Sequence, residues 1–280
     1  MRMKNVLIPT DFSANSWNAL EYAVRFFINE ACNFYILHIG DLRQSSVNSN
    51  SFTFPVEKIS PSLKEKLNSL FIRIEGLPIN KKHHFIALQE YGNFIDIMRK
   101  TVEAKKIDLI VMGTKGASGM KASILGSNTG DTITKVPCNV LVIPEYAKIT
   151  APKKIVFPTD YTIFYSYSIL EALTEILRIS KAKLEVLNVL RTNDQQTLEQ
   201  EENKTYLKDY LIETFQHTHT FHNTLNKNVK TAIQHYVAAN QIKMVVMVAK
   251  NLNFLQNLLF DSTVEKVSFH TTVPLFVLHE

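Results

Sequence analysis

Cysteine is scarce in this chain of 280 residues: Cys32 and Cys138 are the whole supply. Two distant thiols make no disulfide framework, and there is no CxxC pair for redox chemistry or zinc. That composition suits a reducing cytoplasm and excludes a stapled secreted scaffold. Long apolar runs are missing too. Nothing approaches the ~18 apolar residues of a membrane span. The stretch from Met1 to Pro9 is too short in apolar residues for a secretory leader, so a cytoplasmic protein with no membrane partner is expected. Charge of one sign is also lacking: 31 Lys and Arg stand against 26 Asp and Glu, a formal +5. Runs of Lys and Arg stay short and have no aromatics between them, so no nucleic-acid partner is expected.

What is there is an ordinary globular balance, 45% hydrophobic and 20% charged, in a length that suits two domains. The chain repeats itself. Lys4-Asn-Val-Leu-Ile-Pro-Thr-Asp-Phe-Ser13 aligns without a gap with Lys153-Lys-Ile-Val-Phe-Pro-Thr-Asp-Tyr-Thr162, at an offset of 149. A second pair of matches lies late in each half. Leu109-Ile-Val-Met112 resembles Val245-Val-Met247, and Val136-Pro137 resembles Val273-Pro274, each before an apolar strand. A repeat of this length means two whole domains, expected at 1–147 and 150–280, rather than a solenoid of short units. Prolines 144 and 152 flank the linker.

Each half alternates short apolar runs with stretches of helical period. The first half predicts strands over 6–9, 34–39, 85–88, 107–112 and 140–143, with helices over 16–29, 60–74, 94–104 and 127–135. The second half predicts strands over 155–157, 184–190, 243–248 and 275–278, and helices over 165–179, 195–215 and 229–239. The fold class is therefore α/β: two tandem, doubly wound, parallel-sheet domains of Rossmann-like type, five strands each. Such sheets bind ligands at the carboxyl ends of their strands. Residues 42–55, rich in Ser and Asn and without period, read as a mobile loop that would hang over that edge.

The chemistry is carried by the stretch after the fourth strand. There Met112 is followed by Gly113-Thr-Lys-Gly116, and later by Gly126-Ser127-Asn128-Thr129. Glycine permits positive φ and close approach of a ligand to the backbone. The free N–H groups at a helix start, with the helix dipole, make an anion site. Lys115 and Lys121 would add positive charge. The stretch has no GK[ST] ending and no GxGxxG, so it is neither a Walker A loop nor a dinucleotide fingerprint. On glycine alone, turn-making and helix capping remain an equal alternative.

Gly113-x2-Gly116-x9-Gly126-Ser127 resembles the phosphate loop of the ATP-binding branch of the universal stress protein family. Pro9-Thr10-Asp11-Phe12-Ser13, Leu37-His38-Ile39 and Val136-Pro137-Cys138 look like that family as well, and the resemblance covers the chain as two tandem domains. It implies the adenine nucleotide α-hydrolase-like variant of the fold and a stress-response regulator that binds ATP or AMP, with Mg²⁺ on the phosphates. It implies an intramolecular pseudo-dimer, a homodimer, and a protein partner that the sequence does not name. Residue by residue, Asp11 would lie near ribose and adenine, with Pro9 and Thr10 beside it. The Ile39 main chain would meet the adenine edge. Met112 would stand at the strand exit, and Gly113, Gly116, Gly126 and Ser127 would hold phosphate, with Lys115 and Asn128 as neighbours. Asp11 has a second reading as a turn residue, and Ile39 as core. No catalytic set is visible, which makes a dedicated enzyme the lesser expectation. A slow ATPase and a scaffold with a vestigial site stay open as alternatives.

The second half departs from the pattern. Val248-Ala-Lys-Asn251 replaces Gly113-Thr-Lys-Gly116, and Asp261-Ser262 replaces Gly126-Ser127, although Asp160 keeps the place of Asp11. A β-branched Val248 disfavours positive φ, and Asp261 would repel a phosphate. One nucleotide per chain is therefore expected. His217, His219 and His222 read as a polar edge strand or loop rather than a metal site, and Trp17 as packing.

Overall fold

The computed structural model describes residues 3–40, 61–114, 126–190, 195–215, 218–249 and 273–280. The order of elements is β1 (Lys4–Pro9), α1 (Ala14–Phe26), β2 (Cys32–Gly40), α2 (Pro61–Glu75), β3 (His83–Tyr91), α3 (Phe94–Lys105), β4 (Leu109–Gly113), α4 (Ser127–Lys135) and β5 (Val140–Ile143). The second half follows with β6 (Lys154–Pro158), α5 (Tyr167–Ser180), β7 (Lys183–Leu190), α6 (Leu198–Thr214), β8 (His219–Leu225), α7 (Val229–Ala239), β9 (Met244–Val248) and β10 (Leu275–Leu278). No helix among the described residues is long and apolar enough to cross a membrane.

Local chemistry sets the helix starts. The Ser13 side chain caps α1 by accepting from Ser16 N, which starts the helix at Ala14, ahead of its first apolar contacts. Pro61 opens α2, where its missing N–H costs nothing. Asn93 caps α3 by accepting from Ile95 N and Asp96 N, and Lys106 closes it in the left-handed region at φ 48°. A reciprocal capping box, Thr197 with Gln200, starts α6.

The ten strands among the described residues form one sheet, in the order β3-β2-β1-β4-β5-β10-β9-β6-β7-β8. Every pairing is parallel except β5 with β10, which is antiparallel. The five-stranded halves thus continue one another instead of packing face to face. Ile110 pairs Val140 in the first half as Val245 pairs Leu275 in the second. Val142 pairs Leu275 and Val140 pairs Val277 across the join, which puts a pseudo-twofold axis at the Leu141–Phe276 pair. The contact between the halves is made by their final strands, β5 and β10.

β4, β5, β9 and β10 are buried along their whole length, as expected of strands covered on both faces. Two apolar clusters fill the two faces of the sheet, and each runs through both halves. On one face Arg178 of α5 reaches Glu30 after α1 with a two-pronged ion pair at 3.1 and 3.3 Å, and Lys4 pairs with Glu175. Two strands run longer than their apolar cores. β3 pairs along its whole length with β2. β8 is a mostly polar edge strand, formed where periodicity left strand and loop equally open.

Candidate functional site

β1 lies between β2 and β4, so the chain winds away from it to both sides. At its exit Thr10 N continues the ladder by donating to Leu37 O at 2.8 Å. The next residues bond to one another. Thr10 Oγ1 accepts from Phe12 N (3.0 Å) and shares a hydrogen bond with Ser16 Oγ (3.2 Å). Asp11 Oδ1 accepts from Ser13 N at 3.0 Å. This tight turn holds Phe12 at φ 63°, a strained value for a bulky residue. The His38 ring fixes the turn from β2. Its Nδ1 lies 3.0 Å from Thr10 O, and since a carbonyl only accepts, Nδ1 carries the proton. Asp11 is exposed at the rim, Thr10 buried below it.

At the exit of β4, Met112 and Gly113 are buried. A Cβ on Gly113 would lie 3.1 Å from Asn15 O and 3.3 Å from Asn15 Cβ, in the first turn of α1. Positive φ, the sequence-based reason for a glycine at 113, is not what the backbone uses there: among the described glycines only Gly92 has it. Gly113 is small so that α1 can start against the end of β4.

The start of α4 is tied to the same place. Gly126 N donates to Thr114 O at 2.7 Å, and the Thr129 hydroxyl donates to Gly113 O at 2.9 Å. The N-cap is Gly126, which brings no side chain to the orphan N–H groups of the first turn. Ser127 and Asn128 are exposed there. Pro9, Thr10, Asp11, Ile39, Met112, Gly113, Gly126, Ser127 and Asn128 therefore lie on one edge, at three strand exits and one helix start. Lys115, Gly116, Lys121 and the 42–55 stretch lie outside the described residues. His38 and Thr129 hold this edge together, and both contacts are non-local.

The second half copies the turn but not the space around it. Asp160 Oδ1 accepts from Thr162 N and from its hydroxyl, Tyr161 repeats the positive φ at 60°, and Asn188 Nδ2 replaces His38 by donating to Thr159 O at 2.9 Å. Tyr165 stands where Ser16 does, is fully buried, and bonds Thr159 Oγ1 through its hydroxyl. Helix α5 starts late. Ala14 is equivalent to Ile163, yet α5 begins only at Tyr167, about one turn further on. Among the described residues no helical turn then crowds the end of β9, and Val248 fits where glycine was needed. The β-branch of Val248 is thus no obstacle in itself, contrary to the expectation from φ. α6 closes over this turn, with Gln200 Nε2 donating to Asp160 O (2.7 Å) and Asn203 Nδ2 to Tyr161 O (3.0 Å). Asn251, Asp261 and Ser262 lie outside the described residues.

Burial pushes both thiols, Cys32 and Cys138, up to about 12, which makes them poor nucleophiles. Arg73 lies over the Trp17 ring at 3.8 Å, a packing role. His219 Nδ1 faces Phe215 O and His222 Nε2 faces Thr220 Oγ1; His217 is outside the described residues.

A model of the universal stress protein family matches residues 3–144 and again 152–279. Two universal stress proteins of Methanocaldococcus jannaschii are similar. One is 26% identical over 156 residues, covering 50% of this chain and 94% of that protein. The other is 29% identical over 151 residues, covering 52% and 84%. The solved structure of a universal stress protein from Archaeoglobus fulgidus has a TM-score of 0.68 at 17% identity, covering 99% of this chain and 96% of that one.

Proposed function

We propose, from the premise that this chain belongs to the universal stress protein family, that it is a stress-response regulator whose first half binds one adenine nucleotide, ATP or AMP. The observation that carries this reading is the start of α4. Its N-cap, Gly126, supplies no side-chain acceptor to the N–H groups of Ser127 and Asn128, which would turn to a ligand, and Gly126 N is anchored to the exit of β4. A helix start of this kind attracts anions through aligned N–H groups and the positive end of the helix dipole. Ser127 and Asn128 would receive the phosphates, with Lys115 and Gly116 completing the loop. Asp11, at the exit of β1, would accept from ribose hydroxyls. The Ile39 main chain would meet the adenine edge, while Pro9, Thr10 and Met112 form the floor beneath. Mg²⁺ would come with the phosphates.

Gly126→Asp tests the reading, because a carboxylate at the cap fills the space and repels phosphate. At ~4 Å that repulsion is about 1 kcal/mol in water and ~4 at intermediate dielectric. Calorimetry on wild type should show ATP or AMP binding, and the variant should lose it. Equal affinity in both proteins would overturn the assignment. The nucleotide that copurifies with the wild type, identified by mass, tells ATP from AMP.

A further inference from the structure

Helix α4 is nine residues long, about 13 Å, and a helix that short does not hold its shape alone. Its anchors decide where its first N–H groups point. The start is tied to β4 through Gly126 N and the Thr129 hydroxyl. The end has a defect that the sequence dictates. The Ile133 carbonyl would accept from the N–H four residues on, but residue 137 is proline and has none. Its neighbours are provided for. Val136 N donates to Thr132 O, and Arg99 Nε of α3 donates to Lys135 O at 2.7 Å. The donor for Ile133 O comes from the other half of the chain: the ring of His279, one residue past β10, is hydrogen-bonded to it. Nδ1 makes that bond, because Nε2 is buried without a partner. Asn139 holds the residue in place by accepting from His279 N at 2.8 Å. The repeat has no second copy of this arrangement. Pro144 follows β5 where His279 follows β10, and it carries no N–H to donate.

We infer that His279 is a positioning residue for the nucleotide edge: a cap that the second half supplies to the far end of α4, and that keeps the phosphate-receiving start of the helix in place. This rests on the nucleotide reading above. The cap works while the ring is neutral. A proton on Nε2 would put a charged donor in a buried place with no acceptor. Burial accordingly lowers the ring's pKa, against the Ile133 bond, which raises it. Of the charged groups on the elements it meets, Asp131 and Lys135 of α4 pair with each other, Arg99 is engaged with Lys135 O, and Glu280 beside it is exposed. As the pH falls through the folded value, which lies below the ordinary ~6.5, the ring takes a proton and releases Ile133. The second half thus sets the affinity of the first, and sets it lower in acid.

The test compares three full-length proteins: wild type, His279→Asn, which keeps a donor but does not titrate, and His279→Ala, which has none. In calorimetry with ATP at pH 7.5, His279→Asn should stay within about twofold of wild type and His279→Ala should bind about fivefold more weakly, the worth of one hydrogen bond. At pH 5.5 wild type should fall to the level of His279→Ala, with His279→Asn ahead of both. The ATP phosphates and His38 are the same in all three, so they cancel in the ratios. Arg178→Gln loosens the join elsewhere, at Glu30, and should leave ATP affinity unchanged; a loss equal to that of His279→Ala would overturn the specific role of the cap. Amide exchange without nucleotide tests the cap apart from the nucleotide reading. Protection of α4 should drop in His279→Ala and persist in His279→Asn. Unchanged protection in His279→Ala would remove the cap. Lost protection with equal ATP affinity would remove the coupling, and wild type that binds no ATP would bring down the nucleotide reading and the coupling with it.

Discussion

Gly113 has too near a neighbour for a side chain. Any Cβ there meets the Asn15 backbone at 3.1 Å, and a helix end cannot swing aside as a flexible side chain can. Gly113→Ala should therefore destabilise the protein by about 1–3 kcal/mol, the usual cost of overpacking, seen as a lower urea midpoint with or without nucleotide. An unchanged midpoint would mean that α1 gives way freely. From sequence this glycine reads as room for a ligand. The helix turn that excludes a side chain comes from the far end of the first repeat, and no local pattern announces it. His83 is a second residue whose role needs the fold. It is buried, accepts from Asn80 N at Nδ1 (3.3 Å) and donates from Nε2 to Phe27 O (3.0 Å), so it is held neutral. Burial lowers its pKa, and His84 acts in the same sense, against backbone hydrogen bonds to Phe27 and Glu30. The folded form thus binds its proton less readily than the unfolded chain, whose histidine titrates near ~6.5. Stability is full above that pH and falls as the pH drops through the folded value. His279, also lowered by burial, adds to the same slope. Urea midpoints should decline from about pH 7.5 to 5.5, and His83→Gln should flatten the decline; an equally steep slope in the variant would remove His83 from the account.

Among the elements, the informative difference is between α1 and α5. Both have the apolar period of an amphipathic helix, and the sequence predicts both. It does not reveal that α5 starts a turn late. The segment before Tyr167 carries a large, fully buried side chain, Tyr165, where α1 has Ser16. The expectation of one nucleotide per chain was built on lost glycines and on Asp261. The described part of the second half adds a different reason: Tyr165 is packed beneath the turn and α6 is bonded across it through Gln200 and Asn203. Restoring glycine at Val248, Asn251 and Asp261 together should then leave the stoichiometry at one nucleotide per chain in equilibrium dialysis. A second equivalent bound by the triple variant would show that the loop alone decides. β8 marks where sequence reading stopped short for a plainer reason. Its residues alternate weakly because it is an edge strand with much of its length exposed, so period carries little signal.

At the scale of the whole molecule, the join between β5 and β10 does for the chain what a subunit interface does for separate copies. Val140–Ile143 and Leu275–Leu278 are fully buried apolar strands, and each would be a bare edge without the other. Exposed edges of that kind pair with whatever strand is offered. The pseudo-twofold through Leu141 and Phe276 means that the partner each half finds is, in register, a copy of itself. The repeat itself is legible in the Pro-Thr-Asp matches, but the continuity of the sheet is not, since four-residue strands say nothing about which edge they leave open. The geometry makes a definite demand of a separated first half, residues 1–147. Deprived of β10, its β5 edge should pair with the β5 of a second copy in the same antiparallel register, because a twofold contact is self-complementary. Sedimentation should therefore show a dimer of the separated half, with Leu141 at its centre. Leu141→Lys should return it to monomer, by placing like charges directly opposite one another across the axis. The same substitution in the full chain meets Phe276 instead of another lysine, so it should cost stability without changing the mass of the particle. A separated half that stays monomeric at concentrations where it is folded would mean that the linker and the Glu30–Arg178 pair, rather than the strands, bring the two halves together.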